Sequence, residues 1–507
     1  MKFARVYGAQ TNLLNPSVVS VEADLSRGLY AFSVVGLPDK AVEESRDRVS
    51  AAIKHAGFPS PKTKNRKIVI SLAPADLKKE GPLFDLPIAL AYLLAAEDIS
   101  FEPEGRLFVG ELSLDGEVRP VRGILPLIHE AKRKGFHEAY VPLENAREAA
   151  LIEGISIFGV RTLGDVVGHL KKEGVKLISH PKTEIEREEI PHAILLEDIR
   201  GQEHAKRALT IAAAGGHNIA LWGPPGTGKT MLARALASLL PPLSFEETLE
   251  VTGIHSVAGT LSGHLVSHPP FRAPHHTSSY VSLVGGGAIP RPGEVTLAHR
   301  GVLFLDEFPE FERRVLEALR QPLEERVVAI SRSKGSARFP ADFILVAAMN
   351  PCPCGNFGSK KVCVCAPGEL ARYSKKVSGP IMDRIDLWIH MGDVDYELLS
   401  GKRPEDLRET MNARGEIARA RERQKNRYKK DKVNAALSSR ELEDHAPLEA
   451  QTRELLNSAA TRLSLSPRSY HKVIKLARTI ADLGGSSHIE EAHLLEALQY
   501  RPRQNQY

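Results

Sequence analysis

The sequence predicts an α/β protein whose C-terminal part is helical. Residues 1 to about 172 alternate short apolar runs with amphipathic helical patterns, as mixed sheet-and-helix domains do. A second alternation of this kind extends from about Leu196 to Val394, with apolar strands that suit a parallel sheet. Beyond it the apolar spacing is helical and the segment is rich in charge. Because the chain has 507 residues, it is too long for one core, and we expect about two to four domains.

The domain boundaries follow from these changes of pattern. We expect a first α/β domain over residues 1–175, a linker over 176–195, a second α/β domain over 196–395 and a helical domain over 396–507. The linker prediction rests on His180–His192, which is polar, charged and bounded by prolines.

The first domain has clear local signals. Asp39 is the expected N-cap of a helix that continues to His55, before Gly57 and Pro59. The other expected elements are a buried strand at Lys67–Leu72, a hairpin that joins Leu107–Leu112 to Glu117–Val121 through an Asp-Gly turn, and helices at about Ile124–Lys134 and Leu163–Lys171.

The composition excludes some classes and leaves others open. A formal net charge of +5 is small for this length, so it permits a nucleic-acid partner without arguing for one. No export signal is evident, and the longest apolar stretch, near Leu83–Ala96, is too short to span a bilayer. We expect a soluble, cytoplasmic protein with no membrane partner.

The strongest motif is a glycine-rich loop between an expected strand, Asn218–Leu221, and an expected helix, Met231–Leu240. Residues 223–230 match the pattern G-x-x-x-x-G-K-[ST]. Glycines let backbone amides face phosphate oxygens, and the helix N-terminus adds the positive end of its dipole. The sequence therefore predicts a site for ATP with Mg²⁺, formed by Gly223, Pro224, Pro225, Gly226, Thr227, Gly228, Lys229 and Thr230.

Polar residues at the ends of two later strands complete the expected site. Lys229 would reach the β- and γ-phosphates, and Thr230 would ligate Mg²⁺. Asp306 and Glu307 follow the apolar run Val302–Leu305. There Asp306 would hold the metal through water and Glu307 would polarise the attacking water. Asn350 ends the expected strand Phe343–Met349 and would position that water; the alternative is a turn-forming asparagine before a proline.

Two arginines are further candidates. Arg384, in the segment 379–386, could be an arginine finger, and Arg468, at the start of an expected helix, could report the nucleotide state. The residues alone do not separate these roles from those of surface arginines.

In this order, the motifs resemble those of the YifB/ComM family of Mg-chelatase-like AAA+ ATPases, over nearly the whole chain. The most specific matches are Phe271–His276, Gly285–Gly287, Pro292–Glu294, Ala298–Glu307 and Arg320–Glu324. The resemblance implies an AAA+ core at 196–395, a C-terminal helical lid and a hexameric homo-oligomer with ATP at subunit interfaces. It also implies that Arg384 acts on the neighbour's γ-phosphate and that Arg468 is the second sensor.

The resemblance implies a motor that acts on DNA, because ComM-type members are described as branch-migration helicases in natural transformation. The alternative is a magnesium-chelatase-like protein-remodelling ATPase, although the D-x-S-x-S metal-adhesion motif does not occur in the sequence. A non-hydrolysing scaffold is disfavoured because Lys229 and Glu307 are both present.

The N-terminal domain resembles the Lon-protease fold through Lys79–Pro87. Lon proteases carry the nucleophilic serine after Gly-Pro, where this chain has Leu83, and the partner lysine would fall near Leu125. Leucine can neither attack a carbonyl nor accept a proton, so we expect the fold without peptidase activity.

A basic hairpin is the expected DNA contact. Arg326–Ile330 and Ala337–Phe339 would be its strands, and Arg332 and Lys334 at its tip would meet backbone phosphates. The alternative is a solvated tip. The basic stretch Arg414–Lys432 poses the same choice, and there a solvated lid helix is the favoured interpretation.

Four cysteines, Cys352, Cys354, Cys363 and Cys365, could surround one Zn²⁺ ion. The alternative is unligated thiols, because each pair is spaced by one residue rather than two. Five histidines cluster in the preceding segment and are expected to be loop or DNA-facing residues, not ligands: His255, His264, His268, His275 and His276.

Overall fold

The chain forms two units in a computed structural model that describes residues 2–12, 15–173, 176–183, 194–261, 265–287, 291–332, 335–358, 361–392 and 408–502. The first unit comprises Met1–Glu186 with Thr248–Leu265, and the second comprises Arg187–Glu247 with Val266–Tyr507. Residues 184–193 of the expected linker 176–195 lie outside the described residues; Thr183, just before them, is buried, and its N–H donates to Ala150 O at 3.1 Å.

A seven-stranded mixed sheet organises the first unit. The strands are β1 (Lys2–Asn12), β2 (Asn15–Arg27), β3 (Ala31–Val35), β4 (Arg66–Ala73), β5 (Arg106–Phe108), β6 (Glu111–Leu112), β7 (Val118–Arg119), β8 (Glu138–Pro142) and β9 (Ser156–Val160). The sheet order is β3-β4-β2-β1-β5-β8-β9, while β6 and β7 form a separate antiparallel pair. The expected hairpin is therefore shorter than predicted, because Arg106–Phe108 pairs with β1 and β8 instead.

The helices of this unit cover both faces of the sheet. They are α1 (Lys40–His55), α2 (Asp85–Ala95), α3 (Ile124–Arg133), α4 (Ala146–Ala149) and α5 (Leu163–Lys171). Because side chains alternate along a strand, Phe108 and Tyr140 join one core with α1, α2 and α5, while Leu107 joins another with α3 and α4. Asp39 caps α1 as predicted, since its Oδ1 accepts from Val42 N–H at 2.9 Å.

A five-stranded parallel sheet organises the second unit. The strands of this unit are β10 (Ile219–Trp222), β11 (Phe271–Arg272), β12 (Gly285–Gly286), β13 (Arg291–Pro292), β14 (Val302–Leu305), β15 (Val327–Arg332), β16 (Gly335–Pro340), β17 (Ile344–Met349) and β18 (Leu387–His390). The sheet order is β11-β14-β17-β10-β18, with β12–β13 and β15–β16 as separate two-stranded pairs. The strands after β10 thus lie on both sides of it, and β17 separates it from β14.

Fourteen further helices are described in residues 194–502. They are α6 (Glu203–Gly215), α7 (Lys229–Leu239), α8 (Phe245–Ala258), α9 (Tyr280–Val284), α10 (Glu294–Leu297), α11 (Arg313–Ala318), α12 (Arg320–Glu325), α13 (Pro367–Ser374), α14 (Gly379–Met382), α15 (Glu409–Tyr428), α16 (Ser439–His445), α17 (Ala450–Arg462), α18 (Pro467–Gly484) and α19 (Glu491–Gln499). Helices α6, α7, α15 and α18 share one hydrophobic core with the sheet. None of the helices in the described residues is long and apolar enough to cross a bilayer.

The segment Thr248–Leu265 differs from the expected boundaries, because it belongs to the first unit and not to the domain predicted at 196–395. Leu249 and Leu265 pack against the core that contains α3. The Ser256 hydroxyl oxygen also accepts from Gly123 N–H at 2.9 Å. Burial of apolar side chains with a satisfied backbone amide explains why this segment packs there.

The basic helix α15 differs in part from the expected solvated helix, because several of its arginines bind other elements of the second unit. Arg421 donates through Nε and Nη2 to Ala213 O, at 3.2 and 2.6 Å, near the end of α6. Arg427 forms an ion pair with the buried Asp482, and Arg414 donates to Ser238 O at 2.8 Å. Arginine pairs well with carbonyl and carboxylate groups at helix ends, so these three arginines contribute to packing.

Candidate nucleotide site

The carboxyl edge of the parallel sheet gathers the expected site residues. Gly223 follows β10, Asp306 follows β14 and Asn350 follows β17. Trp222 is paired in register with Met349, and Leu305 with Ala347, so the three strands end near one another. Carboxyl ends of parallel strands form the usual ligand crevice of such sheets.

Glycines shape the loop between β10 and α7. A Cβ at Gly223 would lie 2.3 Å from Met391 O, so the loop can approach the end of β18 only with glycine here. Gly226 and Gly228 have φ values of +82° and +89°, and open space surrounds both. The first amides of a helix have no partner inside it, so the amides at the start of α7 are available to an anion.

Lys229 lies beneath this loop and is 8% exposed. Its Nζ donates to Gly223 O at 2.7 Å, to Pro224 O at 2.8 Å and to Asn350 Oδ1 at 3.2 Å. Burial lowers the pKa of Lys229 to about 8, while the charge of Asp306 acts in the opposite direction. Lys229 and Asn350, which are 121 positions apart in sequence, are thus brought together.

Thr230 and Asp306 also meet, as a metal site requires. The Thr230 hydroxyl donates to Asp306 Oδ2 at 3.1 Å, and Glu307 N–H donates to Asp306 Oδ1 at 2.9 Å. A hydroxyl beside a carboxylate offers the hard oxygen ligands that Mg²⁺ prefers. Together with the open loop and Lys229, these residues fit a nucleoside triphosphate with Mg²⁺.

Glu307 has a partner that the sequence interpretation missed. His276 Nδ1 lies 2.9 Å from Glu307 Oε2, and the rings of His275 and His276 are 4.2 Å apart. His276 lies in a turn, as expected of a loop residue, and its contact with Glu307 places it at the candidate site. Its place in the motif Phe271–His276, shortly before Asp306 and Glu307 in the chain, was the available signal.

The histidine prediction was wrong for His255. This residue is buried within α8 in the first unit, because the segment that carries it packs against the α3 core. His264 lies outside the described residues.

The two candidate arginines lie at the opposite edge of the sheet. Arg384 precedes β18, and the neighbouring Asp386 N–H donates to Asn218 O, just before β10. Arg468 begins α18, whose Lys472 forms a 2.7 Å ion pair with Asp386. Strands of four residues span about 13 Å, so these arginines lie across the sheet from the loop of their own chain.

The four cysteine Sγ atoms lie within 4.8 Å of one another. Cys352 Sγ is 3.4 Å from Cys354 Sγ and 3.8 Å from Cys363 Sγ. Sulfurs around a tetrahedral zinc with bonds of about 2.3 Å would be about 3.8 Å apart, so the group fits one such ion. This loop also packs on the nucleotide loop, because a Cβ at Gly355 would lie 2.7 Å from Pro225 Cδ.

The expected DNA hairpin is present as β15 and β16, with longer strands than predicted. Arg332 ends β15 and pairs through its backbone with Gly335, whereas Lys334 lies outside the described residues. Leu83 and Leu125, the leucines that the Lon resemblance places at catalytic positions, pack in one apolar core of the first unit.

Comparisons with known proteins identify the family of this chain. The family described as magnesium chelatase, subunit ChlI, matches residues 195–399, and its C-terminal counterpart matches 408–501. A further model, subunit ChlI of Mg-chelatase, matches residues 21–145.

Two individual relatives match nearly the whole chain, and a third matches about a third of it. The competence protein ComM of Haemophilus influenzae is 43% identical over 99% of this chain and 98% of its own length. The uncharacterized protein YifB of Escherichia coli is 42% identical over 96% of this chain and 95% of its own. Lon protease 2 of Bacillus subtilis is 28% identical over 32% of this chain and 31% of its own. The chain therefore belongs to the YifB/ComM family of Mg-chelatase-like AAA+ ATPases.

Proposed function

We propose that this protein is an ATP-driven motor that acts on DNA, as a helicase or branch-migration factor in recombination or natural transformation. The observation that carries the ATPase part is the meeting of Lys229, Thr230, Asp306 and Asn350 at one sheet edge. The DNA part is supported by the basic hairpin β15–β16 and by the similarity to a competence protein.

The proposed chemistry assigns one task to each residue. Lys229 and the loop amides 226–230 bind the triphosphate, and Thr230 with Asp306 holds Mg²⁺, which offsets phosphate charge. Glu307 takes the proton of the attacking water, and Asn350 orients that water. Arg384, with Arg468 as second sensor, stabilises charge on the γ-phosphate of a neighbouring subunit, which makes a ring, by family analogy a hexamer, the working unit.

Zinc at the four-cysteine cluster is a separate structural proposal. The Sγ separations suit thiolate ligands, and an ion there would brace the loop between Asn350 and the segment that leads to Arg384.

DNA-dependent ATP hydrolysis tests the function. The rate should rise with DNA and should fall as salt increases, because phosphate contacts release counterions. Lys229→Ala should abolish nucleotide binding, whereas Glu307→Gln should retain binding and stop turnover. Displacement of strands from forked or four-way DNA would then establish the helicase activity.

The second candidate is a protein-remodelling ATPase, which the match to magnesium-chelatase subunits favours. If DNA changes neither the ATPase rate nor the electrophoretic mobility of the complex, this candidate replaces the DNA motor.

A further inference from the structure

Two arginines of one chain share a single carboxylate in the second unit. Glu324 Oε2 lies 2.8 Å from Arg384 Nη2, and Glu324 Oε1 accepts a hydrogen bond from Arg468 Nη2. Arg384 also donates from Nη1 to Pro380 O at 2.5 Å and is 8% exposed. Both terminal nitrogens of the candidate finger are thus engaged inside its own chain.

Around Glu324, the positive charge of the two arginines exceeds the negative charge of their shared partner. The three side chains line a cavity of about 560 Å³ together with Lys432 and Lys472. Each of these two lysines already has a carboxylate partner in the cavity wall, since Lys432 binds Glu441 at 2.6 Å and Lys472 binds Asp386 at 2.7 Å. Glu324 therefore supplies one negative charge to two guanidinium groups, and a further anion that entered the cavity would be attracted.

We propose that Glu324 is a latch that holds Arg384 and Arg468 in the resting subunit until the γ-phosphate of ATP on a second copy of the chain displaces it. This inference rests on the proposed action of the arginines between subunits. A terminal phosphate carries more charge than a carboxylate and has three acceptor oxygens for planar guanidinium groups. When the phosphate replaces the Glu324 carboxylate as the partner of both arginines, both would engage at the subunit interface in one step.

The latch is also connected to the candidate DNA hairpin. Glu324 lies in the last turn of α12, and β15 begins three residues later at Val327. Between them Arg326 adopts a left-handed conformation, φ +56°, and its Nη1 binds Asp342 Oδ1 at 2.7 Å. This short, tethered connection would transmit a movement of Glu324 to the hairpin and so couple the neighbour's nucleotide to DNA.

The test is Glu324→Gln in the full-length protein. Glutamine keeps the side-chain volume but removes the charge that holds two arginines. We expect the ATPase rate without DNA to rise about fivefold, the order expected when a partly exposed ion pair no longer competes with the phosphate. The stimulation by DNA should shrink by a similar factor, because the rate without DNA is already raised in this variant.

Glu325→Gln is the matched control. Glu325 lies next to Glu324 in α12, and its Oε2 accepts from Gln321 Nε2 at 2.9 Å within the same helix. Its rate without DNA should equal that of the wild type. In the double variant Glu324→Gln with Arg384→Ala the gain should disappear, because it requires the released finger.

A Glu324→Gln rate at or below the wild-type rate would overturn the latch. If that variant does not fold, as judged by its melting temperature, Glu324→Asp provides the same decision: its shorter side chain should also raise the rate, and no rise would reject the inference. If DNA does not change the ATPase rate of the wild type, the proposed action on DNA is rejected but the latch is not. The DNA-free rates of the variants still decide whether Glu324 acts as a latch.

Discussion

Lys229 shows how the surroundings of one side chain set its chemistry. Its three hydrogen-bond acceptors are neutral oxygens of Gly223, Pro224 and Asn350. These acceptors satisfy the hydrogen bonds of the ammonium group but do not compensate for its lost hydration. Burial therefore lowers the pKa of Lys229 to about 8. Because a bound triphosphate would favour the charged form, ATP binding and protonation of Lys229 should be linked.

This linkage predicts the pH dependence of ATP affinity. Below pH 8 Lys229 is protonated in both free and bound protein, so the Kd should be constant. Above pH 8 the free protein loses this proton while the complex retains it, and the Kd should increase about tenfold per pH unit. Titration with a fluorescent ATP analogue between pH 7 and 9.5 measures the slope. Glu307→Gln, which leaves Lys229 in place, should retain it; a constant Kd up to pH 9.5 would contradict the prediction.

His276 is the second residue whose contact carries a prediction. It holds Glu307 Oε2 at 2.9 Å, while Glu307 itself has φ +50° and an exposed side chain. An exposed glutamate side chain samples several rotamers. The contact with His276 should therefore increase the population in which the Glu307 carboxylate can accept the proton of the attacking water. His276→Ala should therefore lower kcat about tenfold and leave KM for ATP unchanged, whereas loss of the base itself costs about 100-fold or more.

Steady-state kinetics of His276→Ala and His275→Ala make the comparison. His275 Nδ1 instead lies 2.8 Å from Thr277 Oγ1, so it serves as the neighbouring control. Equal kcat values for the two variants, or a change confined to KM, would mean that His276 does not position Glu307.

At the scale of elements, local signals and long-range contacts differ in how well the sequence predicts them. The cap at Asp39 and the helices α3 and α5 followed from patterns within one segment, and the structure has them within one residue. The burial of Thr248–Leu265 in the first unit and the engagement of Arg421 with Ala213 O depend on partners more than a hundred residues away. Spacing along a single sequence carries no record of such partners.

The same distinction applies to the candidate site. The loop 223–230 and the carboxylates after β14 are motifs with fixed spacing, so they could be found without a structure. Glu324 was part of a quoted motif, yet its role as shared partner of Arg384 and Arg468 depends on residues 60 and 144 positions away. Sequence reasoning predicted these two arginines separately and did not connect them.

The four-cysteine loop is an element whose position predicts an effect on ATP binding. It packs on Pro225 through Gly355, and Tyr373 Oη donates to Asn350 O at 3.2 Å. We expect about one zinc per chain by metal analysis. Removal of the metal by a chelator should raise KM for ATP several-fold, because the loop that supports Pro225 would lose its cross-link.

Cys363→Ser with Cys365→Ser should reproduce the chelator effect without chelator. Gly355→Ala is a separate probe, since its φ of +79° and the Pro225 contact leave no room for a methyl group. If metal analysis of the purified protein finds zinc only at background level, the thiols are unligated. The predicted effect of the metal on KM for ATP is then rejected.

At the scale of the whole molecule, the two edges of the parallel sheet divide the catalytic groups. The carboxyl edge carries Lys229, Asp306 and Asn350, while Arg384 and Arg468 meet at the amino edge. Because the two edges of one sheet cannot both reach one phosphate, the proposed function requires that a second copy supply the arginines. Arg384→Ala should therefore bind ATP with the wild-type Kd but hydrolyse it about 1,000-fold more slowly.

Mixed oligomers distinguish supply by a neighbour from supply within the chain. Arg384→Ala subunits retain the loop, and Lys229→Ala subunits retain the arginine, so each lacks a different half of the site. If the halves come from adjacent subunits, mixing two inactive proteins creates some interfaces with an intact loop facing an intact arginine. For random rings mixed in equal amounts about a quarter of the interfaces are of this kind, and ATPase activity should recover towards that fraction. Supply within one chain predicts no recovery at any ratio, because every subunit would remain defective.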